Sequence, residues 1–300
     1  MMNKAPLLAI RCLTYNHEPY IRQCLDGFIM QKTNFQFIAI IHDDASTDGT
    51  ADIIREYAEK YPDIIKPIYE QENQYSKQDG SLRRIINEAI PVDIKYIAMC
   101  EGDDYWIDPY KLQKQVDFLE THSDVVYSCH RYYTKNELDN TIELTPNIYF
   151  DKNSDKEYFI FSREYPYSKD WITKTLTCVY RKDAFKPIPE FKYSRDVHFV
   201  YYIMQNGQGV CHAFAGGVYR KNESSTYGSL DLIKQIEINY KVYCELYKKT
   251  HDKVIKKVCF NLFLSQILRS KKMVFPRNLV EIEALFLYAP IKVIKKLVSH

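Results

Sequence analysis

The sequence predicts an α/β fold with a mostly parallel central sheet, helices on both faces and a C-terminal helical extension. Three observations predict it. Apolar strand-like runs and amphipathic stretches alternate through the first hundred residues, as in consecutive βα units. The run Phe35 to Ile41 is apolar at nearly every position, which suits a strand covered on both faces. Polar, acid-containing loops follow three of the runs, at residues 14–18, 42–48 and 101–104. In open parallel sheets such loops, beyond the carboxyl ends of the strands, converge on one crevice.

Ala5 to Leu13 reads as the first strand, with Glu18 to Met30 as an amphipathic helix behind it. The second strand, Phe35 to Ile41, ends in HDDASTDGT, whose Ser, Thr and Asp suit a helix start. Ile53, Ile54, Tyr57, Ala58 and Tyr61 then form one helical face. Ile64 to Tyr69 is a third strand, Ser81 to Ile90 a helix, and Ile94 to Cys100 a fourth strand. A helix through Leu112, Val116 and Leu119 leads to a strand at Val125 to Cys129. Residues 131–170 are polar and tyrosine-rich and show no period that assigns them. Leu176 to Tyr180 reads as a strand, Val197 to Gln205 as a helix and Gly207 to Tyr219 as a Gly-punctuated strand. Beyond Leu230 the pattern is helical.

Eight cysteines are scattered without a Cys-x-x-Cys pair, mostly inside apolar runs, so reduced, buried thiols and a cytoplasmic location are expected. The N-terminal run Leu7 to Leu13 is interrupted by Arg11 and does not read as a signal peptide. Net charge is +2 but unevenly placed: residues 245–300 carry 12 Lys and Arg against 4 Asp and Glu, and the remainder 29 against 35. Nucleic-acid binding is not expected, because the positive charge is confined to the tail and no recognition motif accompanies it. The tail places Ile291, Ile294, Leu297 and Val298 on one helical side, flanked by Lys292, Lys295 and Lys296. That arrangement suits peripheral contact with an anionic membrane, at the inner face of the plasma membrane, and equally a helix packed on its own domain.

Asp103 and Asp104 stand at the end of the fourth strand. Adjacent carboxylates on such a turn supply hard oxygens for Mg²⁺ or Mn²⁺ and leave open positions for phosphate oxygens; acids in turns also cap helices.

Four stretches taken together, LTYN at 13–16, HDDASTDGT at 42–50, EGDDYWIDPYKLQKQ at 101–115 and SRD at 194–196, resemble the inverting family 2 glycosyltransferases. These are GT-A-fold enzymes, with a Rossmann-like sheet, that use nucleotide-diphosphate sugars. The resemblance implies a catalytic domain at residues 1–228, with a nucleotide-sugar-binding part to about residue 130 and an acceptor part over about 131–228, followed by the helical extension 229–300.

The resemblance further implies that Leu13, Thr14, Tyr15 and Asn16 line the nucleotide, with Tyr15 against the base. Asp43 and Asp44 lie at the base end, where Asp44 accepts from the base imide, unless they cap a helix. Asp48 is the better expected cap. Asp104 coordinates Mn²⁺ or Mg²⁺ across the diphosphate, and Asp103 meets ribose or metal. Glu101 stands where the family often has Asp and takes no direct metal role. Trp106 shapes the sugar pocket or belongs to the core, and Arg84, more than Arg83, reaches the donor. Asp196 is the general base, unless it caps its helix. Tyr219-Arg220-Lys221-Asn222 resembles a late Tyr-Arg-x-His motif; Asn222 replaces the His, leaving Lys221 or Arg220 to meet phosphate.

The implied partners are a nucleotide-diphosphate sugar, most simply a UDP-sugar, and a hydroxyl on a glycan or lipid-linked acceptor of the bacterial surface. The sequence does not specify oligomeric state. A catalytically silent binding protein on the same scaffold remains the alternative. A sugar nucleotidyltransferase fits less well, because the first loop, Thr14 to Glu18, contains no glycine.

Overall fold

The computed structural model describes residues 5–269 apart from residues 78, 169–170, 186–187, 190, 194 and 223–229. The basic tail helix containing Ile291 to Val298 lies outside the described residues. The chain divides into two compact units. The first comprises Met1–Arg163, Trp171–Pro187 and Val200–Lys221; the second comprises Glu164–Asp170, Ile188–Phe199 and Asn222–His300.

The first unit begins with β1 (Leu8–Thr14), α1 (Glu18–Ile29), β2 (Phe37–Asp43), α2 (Thr50–Lys60) and β3 (Ile65–Tyr69). After α3 (Gln74–Lys77) and α4 (Ser81–Ala89) come β4 (Tyr96–Glu101) and β5 (Tyr105–Trp106). β1 pairs in parallel with β2 on one side and β4 on the other, and β2 pairs in parallel with β3. The strand order β3-β2-β1-β4 reverses direction between β1 and β4, which makes their carboxyl ends the topological switch point where ligands bind in such sheets.

Both early strands run further than their apolar stretches suggest, β1 by one residue and β2 by two, since backbone pairing continues through Thr14 and Asp43. Polar side chains are thereby carried to the crevice on rigid strand ends. The core on the α1 side is built from Leu8, Ile10 and Cys12 against Ile21, Leu25 and Phe28, all without exposed surface. A side chain of this kind contributes ~1.5–3 kcal/mol on full burial.

α5 (Lys111–Thr121) leads into β6 (Val125–Asn136). Gln31 joins the end of α1 to the start of α5: its Nε2 donates to the carbonyls of Gly27 and Asp108, and its Oε1 accepts the Leu112 N–H. Gln115, on α5 itself, ties that helix to β6 and to the turn ending at Thr177 by donating to the Ser128 and Thr177 carbonyls.

The unassigned stretch 131–170 proves to be several short elements. β6 continues to Asn136, turns into β7 (Thr141–Leu144), and is followed by α6 (Ile148–Lys152), β8 (Tyr158–Phe161) and α7 (Tyr165–Ser168), the last in the second unit. Elements of four or five residues are too short to show a period, and β7 is exposed throughout.

The expected strand at Leu176 to Tyr180 is broken. Thr175–Thr177 forms a 3₁₀ turn, closed by the Thr177 hydroxyl donating to the Lys174 carbonyl. Only β9 (Val179–Arg181) enters the sheet, antiparallel to β4 and β6. α8 (Asp196–Ile203) and the long β10 (Gln208–Lys221) follow. β10 pairs in parallel with β6 and antiparallel with β5 and β8, so the sheet is mixed beyond β4.

The second unit holds α9 (Leu232–Thr250) and α10 (Lys253–Arg269). Asp231 caps α9 through the Lys234 N–H, and Asp252 caps α10 through the Val254 N–H. Their buried faces meet at Val242, Leu246, Ile255, Cys259 and Phe263. Among the described residues no helix is long and apolar enough to cross a membrane.

Candidate active site

The loops after β1 and β2 are sewn together. The Asn16 N–H donates to Ser46 Oγ at 2.9 Å, and Asn16 Oδ1 accepts the Thr47 N–H at 2.8 Å. The Glu18 N–H donates to Asp48 Oδ2 at 3.1 Å, while Glu18 Oε2 accepts the Gly49 N–H at 2.8 Å. Both turns use left-handed backbone, with φ 54° at Asn16 and 63° at Ala45. Asn tolerates that region; for Ala it costs ~1–2 kcal/mol.

Each acid of the second loop has a folding task. Asp43 is buried and accepts the Ser46 hydroxyl. Asp48 accepts the Thr50 N–H at 3.0 Å, doing the work of a cap from one position outside the Gly49 N-cap of α2. Asp44 is buried and accepts the Gln74 N–H at 2.6 Å on one oxygen and the Tyr75 N–H at 3.0 Å on the other. It thereby anchors the start of α3, and each oxygen keeps a further lone pair.

The acid loop lies on the end of β1, where the Gly102 N–H donates to the Leu13 carbonyl at 2.8 Å. A Cβ on Gly102 would stand 2.6 Å from Thr14 Oγ1 and 2.9 Å from His17 Nδ1, so only glycine allows the two loops this approach. The Asp104 N–H closes the turn onto the Glu101 carbonyl at 3.1 Å. Asp104 is buried, and its Oδ1 accepts the backbone N–H of Arg220 at 2.9 Å.

Burial and the neighbouring Asp103 hold the Asp104 carboxyl well above the usual carboxylate range, against the pull of the Arg220 N–H and the Lys174 charge. Burial likewise pushes Glu101 up to about 7, opposed by Arg11. Burial lowers the His17 imidazole below its ordinary value, although Asp103, Asp48 and Asp43 all favour its charged form. Carboxylates crowded in this way are stabilised by any cation that joins them.

Residues 12–186, more than half of the chain, match the family model described as glycosyl transferase family 2. The chain belongs to this family. A Mycobacterium tuberculosis protein described as uncharacterised is 44% identical over 123 residues, 41% of this chain and 34% of that protein. The chain thus spans about a third of the length of that relative. Among solved structures, S. aureus TarS 1-349 in complex with UDP-GlcNAc has a TM-score of 0.61 at 16% identity, covering 97% of this chain and 78% of that one. The mannosyltransferase PcManGT from Pyrobaculum calidifontis, in complex with GDP-Man and Mn²⁺, has a TM-score of 0.61 at 15% identity, covering 99% and 80%. At these identities the likeness is one of fold, and the fold is the GT-A-like α/β architecture with a C-terminal helical extension.

Three of the four stretches, those at the ends of β1, β2 and β4, meet at the switch point. Leu13, Thr14, Tyr15 and Asn16 lie at the end of β1, with Thr14 buried and Tyr15 exposed. Asp43 ends β2 and Asp44 follows it; Glu101 is the last residue of β4, and Asp103 and Asp104 come after it. Arg84 is exposed on α4.

Trp106, expected at the sugar pocket or in the core, is a core side chain. It is 2% exposed, donates from Nε1 to the Leu176 carbonyl at 2.8 Å, meets the Phe28 ring edge-on and lies under the Lys111 ammonium. Arg220, expected to meet phosphate as an alternative to Lys221, is also committed elsewhere. Its guanidinium bonds Glu137 and Gln23 and sits over the Tyr105 and Tyr20 rings at 4.5 and 5.0 Å.

Asp196 belongs to the second unit, where it is exposed at the first position of α8 and accepts the Val197 N–H at 2.9 Å. Sequence reading missed Glu245, whose carboxylate accepts the Lys192 and Tyr193 N–H groups at 2.7 and 3.0 Å and so fixes the segment leading to Asp196. Among the described residues no group of three or more His, Cys, Asp and Glu side chains forms a metal cage.

Proposed function

We propose that the protein is an inverting glycosyltransferase that moves a sugar from a nucleotide-diphosphate donor, a UDP-sugar, to a hydroxyl of a glycan or lipid-linked acceptor. The observation that carries this reading is the buried Asp104 carboxylate, held by the Arg220 N–H beside Asp103 at the carboxyl end of β4. It lies at the switch point of a family 2 chain. The UDP-GlcNAc complex of TarS and the GDP-Man complex of PcManGT support a nucleotide-sugar donor, and the polar loop after β1, with Tyr15 exposed, supports its nucleotide end.

The crowded acids fit Mn²⁺ or Mg²⁺: Asp104 and Asp103 would hold the ion, and their mutual repulsion is the cost that it relieves. When bound, the ion offsets charge on the departing diphosphate. Tyr15, exposed at the end of β1, packs against the base, and Asp44 accepts from its imide with a lone pair that Gln74 and Tyr75 leave over. Arg84 reaches the donor phosphates. Asp196 accepts the acceptor's hydroxyl proton as the new bond forms to the anomeric carbon; its exposure and the Glu245-braced segment before it support that role. The free thiols of all eight cysteines fit a reducing, cytoplasmic setting, with the tail as the peripheral contact to the inner face of the plasma membrane.

A thermal-shift screen of UDP-, dTDP- and GDP-sugars with and without Mn²⁺ tests the donor reading, because a specific ligand raises apparent stability by mass action. A shift with one nucleotide class that grows with Mn²⁺ is expected. No shift with any of them would overturn it. Asp196→Asn should keep that shift and lose transfer; loss of both would assign Asp196 a structural role.

A further inference from the structure

We propose that Lys174 is the protein cation that binds the distal phosphate of the donor and steadies it as it departs, an assignment that rests on the donor reading above. The backbone at Lys174 is fixed. Its N–H donates to Thr177 Oγ1 at 3.2 Å, and its carbonyl accepts the Thr177 N–H at 2.9 Å and the Thr177 hydroxyl at 2.8 Å. The turn is anchored in turn by Thr173, whose hydroxyl is 2.6 Å from the Tyr127 hydroxyl, and by the Leu176 carbonyl, which accepts from Trp106. Gly217 admits the fully buried Leu176, since a Cβ there would stand 2.6 Å from Leu176 Cδ1.

The side chain is placed but not neutralised. The Lys174 ammonium lies 4.4 Å from the centre of the Tyr219 ring, and Tyr219 immediately precedes the residue whose N–H holds Asp104. Among the described residues the ammonium has no carboxylate partner and no hydrogen bond, and its charge bears on Asp104. Arg220, next in sequence to Tyr219, is spent on Glu137 and Gln23. A half-buried lysine over an aromatic face, whose charge reaches a carboxylate crowded by its own neighbour, is a point charge waiting for an anion.

The chemistry supplies one. As the bond between the anomeric carbon and the phosphate oxygen breaks, its electron pair stays on the distal phosphate, while the new bond forms from the acceptor oxygen and the acceptor proton passes to the base. The leaving diphosphate gains one negative charge. Lys174 donates a charge-assisted hydrogen bond to it and transfers no proton.

Calorimetric titration of UDP, dTDP and GDP, each paired with its monophosphate and run with Mn²⁺, tests the assignment on wild type, Lys174→Met and Lys174→Arg. For the diphosphate that binds wild type, Lys174→Met should weaken binding ~10-fold or more, as expected for loss of a hydrogen bond to a charged group. The matching monophosphate should change by less than ~2-fold, and Lys174→Arg should restore most of the diphosphate affinity. A structural role for Lys174 would weaken both ligands alike, and unchanged diphosphate affinity in Lys174→Met would remove the phosphate role; either result overturns the assignment. If wild type binds none of the diphosphates, the donor reading itself fails and this assignment with it.

Discussion

The backbone N–H of Arg220 donates to Oδ1 of Asp104 at 2.9 Å, across 116 residues of sequence. The acid loop after β4 is therefore held by the end of β10, and the Arg220 side chain holds that end in place through Glu137, Gln23 and two tyrosine rings. Arg220→Met should destabilise the protein by ~3 kcal/mol, as for one partner removed from a buried ion pair, and should weaken donor binding as Asp104 loosens. Arg220→Lys should rescue little, because only the planar fork spans both acceptors and stacks on the rings. Urea denaturation and calorimetric titration on the two variants check both statements.

Gly102→Ala forces a Cβ to within 2.7 Å of Thr14 Cβ, a backbone-fixed atom of β1. The loops must separate, at a cost of ~1–3 kcal/mol. Nucleotide affinity should fall together with stability, in contrast to a surface Gly→Ala exchange.

Ala45 occupies left-handed backbone at φ 63° with no glycine to absorb it. Ala45→Gly removes that strain but adds freedom to the unfolded chain, for a net gain of ~0.5–1 kcal/mol. A rise in thermal midpoint checks it; a fall would mean the turn is not strained.

Burial pushes Lys111 down to about 7 from its ordinary 10.5, although Cys178, Cys100 and Asp108 favour its charged form. The unfolded chain keeps that proton to higher pH than the folded chain. Between these two values the unfolded state binds more protons, so stability rises with pH, by up to ~1.4 kcal/mol per unit. Below the folded value the penalty is present in full. Urea denaturation at pH 7 and at roughly pH 8.5 should show this rise, and Lys111→Met should flatten it.

Much of the nucleotide half was legible from sequence because it follows one rule: apolar strands alternate with amphipathic helices, and each strand ends in a polar loop. The acid loop, the Asp44 turn and the end of β1 do meet, as that rule requires. The rest was hidden because it depends on partners far apart in sequence. Arg220 reads as a phosphate binder until Tyr20, Tyr105, Gln23 and Glu137 gather round it. Trp106 reads as pocket or core until Phe28 and Leu176 enclose it. Lys174 is one lysine in a threonine-rich stretch, and only the Tyr219 ring shows where its charge is held. Residues 131–170 stayed opaque because their elements are short and β7 has no buried face.

Whether Asp104 anchors nucleotide-sugar chemistry at the end of β4 is read from turnover. Purified protein with Mn²⁺ is given a panel of nucleotide sugars and release of the nucleoside diphosphate is followed for wild type and Asp104→Ala. Wild type should release the diphosphate from at least one donor, and Asp104→Ala should lose ~100-fold or more of that activity, the scale set by removing a principal charge-stabilising group from an active site. Full activity in Asp104→Ala, or no release from any donor by wild type, would contradict that anchoring role.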